Sequence, residues 1–376
     1  MKVLFVVGDF GEAGGRPSGF ARQLFCSFIN HLGELDKSPC NVTYRNGGDL
    51  QDLSEFYLQG GHYDVIVWMA NISNAVPKKV NFLKELYPRS ILVISKSNVG
   101  NRYPVLDLVG RALQAKANLL LEFQKNDHWQ WVGRVLDPLG NEFRVNHERN
   151  WTVEGTGEVL AKRVHQLLHF TRIGSMSVDA KEIEPPDNEE FFEIVRGYAE
   201  KFHELIHANT TRFLGNVSFR CEWGFPSMRG GQVFVSKRNF DKREINKNSF
   251  VAVMPGVVKP VVGEYIRHYG LSKPSVDTPV QSALYDFYRG VQYMLHAHVY
   301  VEDSTKDRPL RCTNRVIPCG AFEEVDQIKG QFPDPNEANF AINLKGHGSI
   351  VFASRLETLR DIPYIGRNLP EIQLLQ

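Results

Sequence analysis

The chain has 376 residues, of which 42% are hydrophobic and 23% are charged, as in ordinary globular proteins. Its 44 Lys and Arg residues nearly balance its 43 Asp and Glu residues, so the formal net charge is only +1. This balance argues against a general polyanion binder, because nucleic-acid affinity depends on many phosphate contacts. A small phosphorylated substrate needs only a few local donors, so the composition permits one.

Targeting and redox signals both favour a cytoplasmic protein. No apolar run reaches the roughly 20 residues of a membrane span, and the first run, Val3–Val7, is too short for a signal peptide. We therefore expect no membrane partner. The cysteines are odd in number and dispersed, without a Cys-x-x-Cys pair, which predicts free thiols in a reducing compartment. They are Cys26, Cys40, Cys221, Cys312 and Cys319.

Strand and helix patterns alternate through the first half of the chain. Continuous apolar runs predict buried strands at Lys2–Val7, Tyr63–Met69, Ser90–Ser95 and Asn118–Phe123. Helical spacing predicts helices at Ser18–Leu32, Lys78–Leu86, Val105–Gln114 and Gly155–Leu168. This alternation is typical of an α/β domain with a Rossmann-like or flavodoxin-like parallel sheet covered on both faces.

A glycine-rich loop, Gly8–Gly19, lies between the first strand and the first helix. Its backbone amides and the helix N-terminus can hold a phosphate or a carboxylate. The loop matches neither G-x-G-x-x-G nor a Walker motif, so a turn in which Ser18 caps the helix is the alternative. Similar loops open nucleotide-sugar glycosyltransferases, and glycosyltransferase chemistry in this domain is therefore a further alternative.

Composition changes in the middle of the chain. Residues 174–188 contain Gly-Ser-Met-Ser, a charged run and the pair Pro185-Pro186, which is typical of a linker. An amphipathic helix, Glu189–His207, follows. We predict a Rossmann-like domain at residues 1–173, a linker at 174–188 and a second domain at 189–376.

Three histidines in the second half indicate a metal site. His296 and His298 lie in a strand-like run, and alternate strand positions share a face, so both imidazoles form half of a divalent-metal site. His347 stands between Gly346 and Gly348, which would let the backbone approach a metal closely. The alternative is a pair of histidines on a half-exposed strand.

The order of motifs in this half is more specific than any one of them. It runs Leu214–Arg220 (LGNVSFR), Phe234–Asn239 (FVSKRN), Lys273–Pro279 (KPSVDTP), the histidine pair and Gly346–Gly348. This succession resembles the class II aldolase/adducin family, which includes fuculose-phosphate and rhamnulose-phosphate aldolases and ribulose-phosphate 4-epimerases. The resemblance covers about residues 190–365 and implies an α/β/α domain with a mostly antiparallel sheet.

The resemblance also implies roles for single residues. A divalent metal, usually zinc, would be held by His296, His298 and His347. Asp277 would be the acid/base, in a Ser-x-Asp-Thr-Pro motif similar to that of the epimerases; its alternative role is to cap a helix ahead of Pro279. The residues matching the phosphate-binding positions, together with the neighbouring basic turn, are Gly215, Asn216, Ser236, Lys237, Arg238, Asn239 and Ser275.

Some positions of this chain have an alternative role or differ from the family pattern. Lys237 and Arg238 are either cationic donors for a phosphate or a solvated basic turn. Asn239 stands where the family often has glycine. The aldolases also use a tyrosine acid that has no clear equivalent here, although Tyr300 is close to the histidine pair in sequence. Glu323 and Glu324 are predicted only to begin a helix.

The predicted function is that of a metal-dependent class II aldehyde-lyase, or a related epimerase or dehydratase, acting on a phosphorylated or anionic polyol. A Lewis-acidic metal suits this chemistry because C–C cleavage leaves negative charge on an enediolate oxygen. The alternative is a non-catalytic, adducin-like scaffold, although adducin-like members lack the complete histidine set. By resemblance, a homo-oligomer is expected.

Overall fold

The computed structural model divides the chain into two compact units. The N-terminal unit holds the described residues from Met1 to His169 and a C-terminal strand, and the second unit holds those from Phe170 to Arg367. Residues 8–18, which form most of the loop predicted to bind a phosphate, lie outside the described residues. The described ranges are 1–7, 19–46, 62–69, 77–98, 103–125, 128–145, 152–206, 215–221, 231–258, 263–303, 310–367 and 371–375.

Within these ranges, the N-terminal unit is an eight-stranded sheet with four helices. Its strands are β1 (Lys2–Val7), β2 (Asn41–Asn46), β3 (Val65–Trp68), β4 (Ile91–Asn98), β5 (Leu119–Lys125), β6 (Trp131–Leu136), β7 (Asn141–Arg144) and β19 (Glu371–Leu374). Its helices are α1 (Gly19–Asp36), α2 (Pro77–Leu86), α3 (Val105–Gln114) and α4 (Val153–His169). The spatial order is β19-β7-β6-β5-β4-β3-β1-β2.

The central strands confirm the predicted Rossmann-like sheet. β2, β1, β3, β4 and β5 are parallel to one another. β6 is antiparallel to β5 and β7, an extension that the apolar pattern did not indicate. β6 lacks a continuous apolar run because it carries the buried Arg134. The Arg134 guanidinium donates to the Glu122 carboxylate and lies 3.5 Å from Glu142. A buried ion pair of this kind interrupts the apolar run of a central strand.

Alternate residues of each central strand enter two separate cores. On one face, Phe5 of β1 packs with Phe28 of α1 and Leu160 of α4. On the other face, Leu4 packs with Leu83 of α2. Strands buried on both sides need apolar residues at every position, which accounts for the continuous runs in the sequence.

The two helices on the first face, α1 and α4, lie unusually close together. A Cβ added at Gly157 of α4 would lie 2.6 Å from the Cβ and Oγ of Ser27 on α1. Ser27 Oγ also donates a hydrogen bond across the helix pair to the carbonyl oxygen of Glu154, at 2.7 Å. Gly157 is therefore present to let the helices approach, at the expense of helix propensity.

The second unit contains, in its described residues, a nine-stranded sheet, a two-stranded sheet and three helices. The strands are β8 (Gly174–Asp179), β9 (Asn216–Cys221), β10 (Gln232–Ser236), β11 (Phe250–Val258), β12 (Tyr265–Tyr269), β13 (Tyr293–Ala297), β14 (Tyr300–Val301), β15 (Arg311–Cys312), β16 (Phe340–Leu344), β17 (Gly348–Ala353) and β18 (Tyr364–Ile365). The helices are α5 (Glu189–Ile206), α6 (Thr278–Phe287) and α7 (Glu323–Gln331).

The large sheet has the order β15-β16-β17-β13-β9-β10-β11-β12-β8. It is antiparallel except where β15 meets β16 and β12 meets β8. Phe192 of α5 packs on one face against Phe219. Leu284 of α6 and Ile328 of α7 pack on the other, against Phe352. This is the α/β/α arrangement with a mostly antiparallel sheet that the motif order implies.

The unit boundary differs from the predicted domains in two places. The predicted linker, 174–188, begins with β8, which pairs with β12 at the edge of the large sheet. The predicted second domain, 189–376, ends with β19, which pairs with β7 of the first sheet. β8 is mostly exposed and β19 is at a sheet edge, so neither carries the apolar run by which central strands are identified.

Across the described ranges, no helix has both the length and the apolar composition that membrane crossing requires.

Two glycine-to-alanine variants test the close approach of α1 and α4. Gly157→Ala gains about 1 kcal/mol of helix propensity but must displace Ser27, which typically costs about 1–3 kcal/mol. We expect a lower thermal midpoint. Gly197→Ala on α5 is the matched control, since nothing lies within 4 Å of the added Cβ and the midpoint should rise. A rise for both variants would show that α1 and α4 are not in close contact at Gly157.

Candidate metal centre

Three neighbouring segments of the large sheet bring the histidines together. His296 is on β13, His298 follows that strand, and His347 lies in the turn between β16 and β17. β17 pairs with β13, so the turn that carries His347 is beside the end of β13. Ligand atoms of the three rings lie within 4.8 Å of one another, and the ring centroids are 4.7–5.1 Å apart. The structure thus brings together the three histidines chosen from sequence.

Two glycines make this arrangement possible, by a different route from the one predicted. Gly348 has φ +150°, and a Cβ there would collide with the carbonyl oxygen of Ala297. Gly215 has φ +80°, and its Cβ would lie 2.5 Å from the carbonyl oxygen of His296. The glycine beside His347 was expected to let the backbone approach a metal. Instead, Gly348 lets β17 approach the backbone of the histidine strand.

The ring nitrogens of His296 and His298 fit a divalent cation. His296 Nδ1 is 3.0 Å from the carbonyl oxygen of Ser349 and donates to it, which leaves the lone pair on Nε2. In the described part of the chain, neither His296 Nε2 nor His298 Nδ1 has a hydrogen-bond partner, and both atoms are buried. An unpaired buried acceptor costs about 1–3 kcal/mol, and imidazole nitrogens are common zinc ligands. The donor set suits zinc or a similar borderline ion.

His347 is held by two residues to which the sequence assigned no role. Its Nδ1 lies 3.0 Å from Glu324 Oε1, and its Nε2 lies 3.1 Å from Cys319 Sγ. A carboxylate that accepts from the far nitrogen of a metal-binding histidine fixes the ring and its tautomer. Glu324 is buried in the first turn of α7, whereas its neighbour Glu323 is turned to the backbone N–H of Thr171. Nothing in the sequence distinguishes these two acids, because their difference depends on how α7 is rotated.

Burial and neighbouring charged groups together set the protonation of the site. Burial lowers the pKa of His296 to about 4, aided by His347, and it lowers the pKa of His298 to well below its usual range. Burial also lowers the pKa of His347, but Cys319 and Glu324 more than offset this and raise it well above the usual value. Burial raises the pKa of Glu324, although His347 opposes the shift. His296 and His298 are therefore neutral at pH 7, as metal ligands must be.

Asp277 is beside the histidines and does not cap its helix. It precedes α6, yet its side chain makes no capping hydrogen bond. Its Oδ2 accepts from Asn216 Nδ2 at 2.7 Å, and Oδ1 is buried without a partner in the described residues. Gln281 on α6 donates in turn to the amide oxygen of Asn216. These hydrogen bonds from Gln281 to Asn216 and from Asn216 to Asp277 orient the Asp277 carboxylate, and the helix N-terminus does not.

The other residues predicted to bind the substrate have mixed surroundings. Ser275 Oγ accepts from the backbone N–H of Asp277 at 3.4 Å, so Ser275 adjoins the site. Ser236 is fully buried, and its Oγ accepts from the backbone N–H of Val217 at 3.2 Å. With Gly215 against the histidine strand, these contacts support the position of Asp277 and β9.

The basic turn is partly committed to contacts within the chain. Lys237 Nζ lies 3.5 Å from the Glu182 carboxylate, and Arg238 donates to the carbonyl oxygen of Pro274 at 3.2 Å. Asn239 has φ +58°, the left-handed conformation that glycine adopts readily and asparagine tolerates. This explains why asparagine stands where the resemblance leads one to expect glycine.

Lys242 is a buried cation near the site that the sequence did not single out. It lies in the charged run 241–244 and is only 8% exposed. Burial lowers the pKa of Lys242 to about 8, a shift that Asp277 and Asp241 partly oppose. Its charge also acts on His296 and on His298. In sequence it is one more charge in a polar turn, and only the fold shows that it points inward.

The pair Glu324 and Glu323 supplies a matched test of metal binding. Glu324→Gln should weaken zinc binding about 10–100-fold, because the amide orients His347 without the charge that increases its basicity. Glu323→Gln should leave the affinity unchanged. Competition with a chromophoric chelator measures both constants. Equal affinities for the two variants would mean that Glu324 does not support a metal ligand.

The chain is similar in part to known proteins. Residues 198–301 match the family described as Class II Aldolase and Adducin N-terminal domain, a segment that includes Asp277, His296 and His298 but not His347. No curated protein matches the chain. Among solved structures, YgbL from Escherichia coli, provisionally assigned as an aldolase, epimerase or decarboxylase, is 17% identical, with 47% of this chain and 92% of YgbL covered and a TM-score of 0.29. The DNA/pantothenate metabolism flavoprotein from Streptococcus pneumoniae is 14% identical, with 44% and 98% covered and a TM-score of 0.33. The predicted resemblance is thus confirmed at residues 198–301, which match the class II aldolase and adducin family model.

Proposed function

We propose that the chain is a metal-dependent class II aldehyde-lyase, or a closely related sugar-phosphate epimerase or dehydratase, acting on a phosphorylated or anionic polyol. One observation carries the proposal. Three histidines present ligand atoms within 4.8 Å of one another, next to a carboxylate whose Oδ1 has no partner in the described residues. A metal site with an adjacent unengaged base is what this class of reaction requires.

In this proposal His296, His298 and His347 would hold the divalent ion, zinc by default. The bound ion supplies Lewis-acid stabilisation of the negative charge that develops on the substrate carbonyl oxygen. Asp277 Oδ1 takes the proton from the substrate hydroxyl whose carbon becomes a carbonyl when the C–C bond breaks. Asn216 holds Oδ2 of the same carboxylate at 2.7 Å, and Oδ1 is left without a partner in the described residues.

Lys242 supports an anionic substrate. It is a buried cation whose charge acts on Asp277, and burial in a low-dielectric site strengthens its attraction for a substrate anion. Lys237 and Arg238 remain proposed as phosphate donors in addition to their internal contacts. They lie on the turn whose backbone bridges to Pro274, close in sequence to Ser275.

The alternatives have less support. An adducin-like scaffold has no use for buried, unpaired nitrogens on His296 and His298, which cost stability unless a ligand occupies them. The glycosyltransferase alternative depended on residues 8–18, which are outside the described residues, and we do not propose it.

Assembly and location follow from the same proposal. We propose a homo-oligomer, because Tyr300, the nearest tyrosine in sequence, accepts a hydrogen bond from the backbone N–H of Gly346 at 3.0 Å. A neighbouring copy would then have to provide the tyrosine acid that aldolases of this family use. None of the five cysteines, which all lie in the described ranges, forms a disulfide, and this supports the reducing cytoplasm as the location.

The proposal is tested by the metal content of the purified protein followed by a screen of ketose phosphates for aldehyde release. Asp277→Asn should keep the fold and the metal but lose about 10²–10⁴-fold in turnover, the usual contribution of a positioned acid/base. Asp303→Asn is the control, since Asp303 is close to the histidine pair in sequence and is exposed. If Asp303→Asn loses turnover and Asp277→Asn does not, the base is misassigned. Failure to release aldehyde from any ketose phosphate by the metal-loaded protein would contradict the lyase.

Anion binding by Lys242 has its own test, with inorganic sulfate as the probe and the metal-free protein as the sample. The lysine is protonated below its pKa of about 8, so sulfate affinity should fall as the pH rises through that value. Lys242→Met should bind sulfate about 10–100-fold more weakly at pH 7 and show no such step, because one charge-assisted hydrogen bond is lost. Lys247→Met, at an exposed lysine 3.8 Å from Glu184, should match the unmodified protein. Calorimetry that finds the same pH dependence in Lys242→Met would exclude Lys242 as the anion site.

A further inference from the structure

A second group of metal-ligating side chains lies in the N-terminal unit, where α1 and α4 end. We propose that Asp36, His165 and His169 form a divalent-cation site that joins the C-terminal ends of these two helices. A ligand atom of each lies within 4.8 Å of the other two. Two of the residues come from α4 and one from α1, so an ion held by all three would cross-link the helices. The site is independent of the histidine centre in the second unit.

The helix packing explains why these three residues meet. Ser27 of α1 lies against Gly157 of α4, and the two helices run in the same direction from that contact. At about 1.5 Å per residue, Asp36 is roughly 13 Å further along α1. His165 and His169 are roughly 12 and 18 Å further along α4, and therefore flank the level of Asp36. The glycine contact that brings the helices together also sets the register of the proposed ligands.

The ligand geometry suits one ion. His165 and His169 are four residues apart, on one face of α4, and their Nε2 atoms lie 2.8 Å apart. This is a hydrogen-bonding distance. A tetrahedral ion with Zn–N bonds of about 2.0–2.1 Å would separate the two atoms to roughly 3.3 Å, so it would replace the shared hydrogen with a small opening of the two rings. Ser38 Oγ donates to Asp36 Oδ2 at 2.6 Å, which orients the carboxylate as partners outside the coordination sphere commonly do.

Charge and exposure indicate the class of ion. The last turn of α1 contains no basic residue, and the carbonyl ends of two helices, each with a partial negative charge, meet beside the Asp36 carboxylate. Two imidazoles and one carboxylate suit zinc, cobalt, nickel or copper better than calcium or magnesium. His169 is exposed and His165 is half-buried, so water would complete the coordination sphere and the ion would exchange with solvent.

The experiment counts zinc bound by the full-length chain and measures the thermal midpoint with and without zinc. His169→Gln should bind one zinc fewer per chain than the unmodified protein, or should bind that zinc with an affinity reduced by more than about 10–100-fold. A loss of about 10–100-fold is typical when only a partner outside the coordination sphere is removed. Zinc should raise the thermal midpoint of the unmodified protein by more than that of His169→Gln, because a ligand that binds only the folded state stabilises it. Asp36→Asn should act in the same direction.

A matched control separates this site from chance binding by surface histidines. His62 lies 3.3 Å from Asp64, and within the described ranges this histidine–carboxylate pair belongs to no cluster of three metal-ligating side chains, so His62→Gln should leave the zinc count unchanged. Glu324→Gln weakens the other centre and leaves this one intact, so the two sites are distinguished in one series. The same zinc count and midpoint shift in His169→Gln, Asp36→Asn and the unmodified protein would overturn the proposal.

Discussion

The close approach of β13 to its neighbours β9 and β17 determines where the three histidines lie. Gly215 and Gly348 permit it, because any side chain at either position would meet the backbone of the histidine strand. Both glycines also have φ values that other residues rarely adopt. If either strand moved outward, His347 and Asn216 would separate from His296, and the ligands and the base would no longer share one site.

A buried polar network then fixes the geometry around that strand. The Arg220 guanidinium on β9 donates to carbonyl oxygens at the end of α6 and just beyond it, including those of Tyr285 and Val291. At the other end of α6, Gln281 and Asn216 orient Asp277. Helix α6 is thus tied to β9 at both ends. The hydrogen bonds of this network rigidify the site, although Gln281 Oε1 and Asp277 Oδ1 have no partner in the described residues.

The polar atoms without partners are as informative as the paired ones. Three of the buried side-chain atoms that have no partner in the described residues lie together in the candidate site: His296 Nε2, His298 Nδ1 and Asp277 Oδ1. Such groups destabilise a fold unless something binds them. Lys242 adds a buried cation whose depressed pKa reflects the same cost. The unpaired atoms and the buried Lys242 cation lower the free energy of unfolding at one site, and a bound metal and substrate would restore it.

The periodicity of apolar residues was sufficient to predict the buried central strands. The apolar runs predicted β1, β3, β4 and β5, and strand alternation placed His296 and His298 on one face, because these properties depend on neighbours in the chain. Motif order predicted the family and selected His347 and Asp277. Only the tertiary structure assigned β8 and β19 to their sheets, since edge strands gain their hydrogen bonds from partners far away in sequence.

The same limit applies to single residues. Glu324 and Glu323 are adjacent acids, and the rotation of α7 alone decides which of them reaches His347. Asp36 lies more than a hundred positions before His165, and the packing of α1 on α4 makes them neighbours. Sequence determined which side chains have useful chemistry and which share a face of one element. Long-range packing decided which of them meet, because burial and contact belong to pairs of elements and not to either one alone.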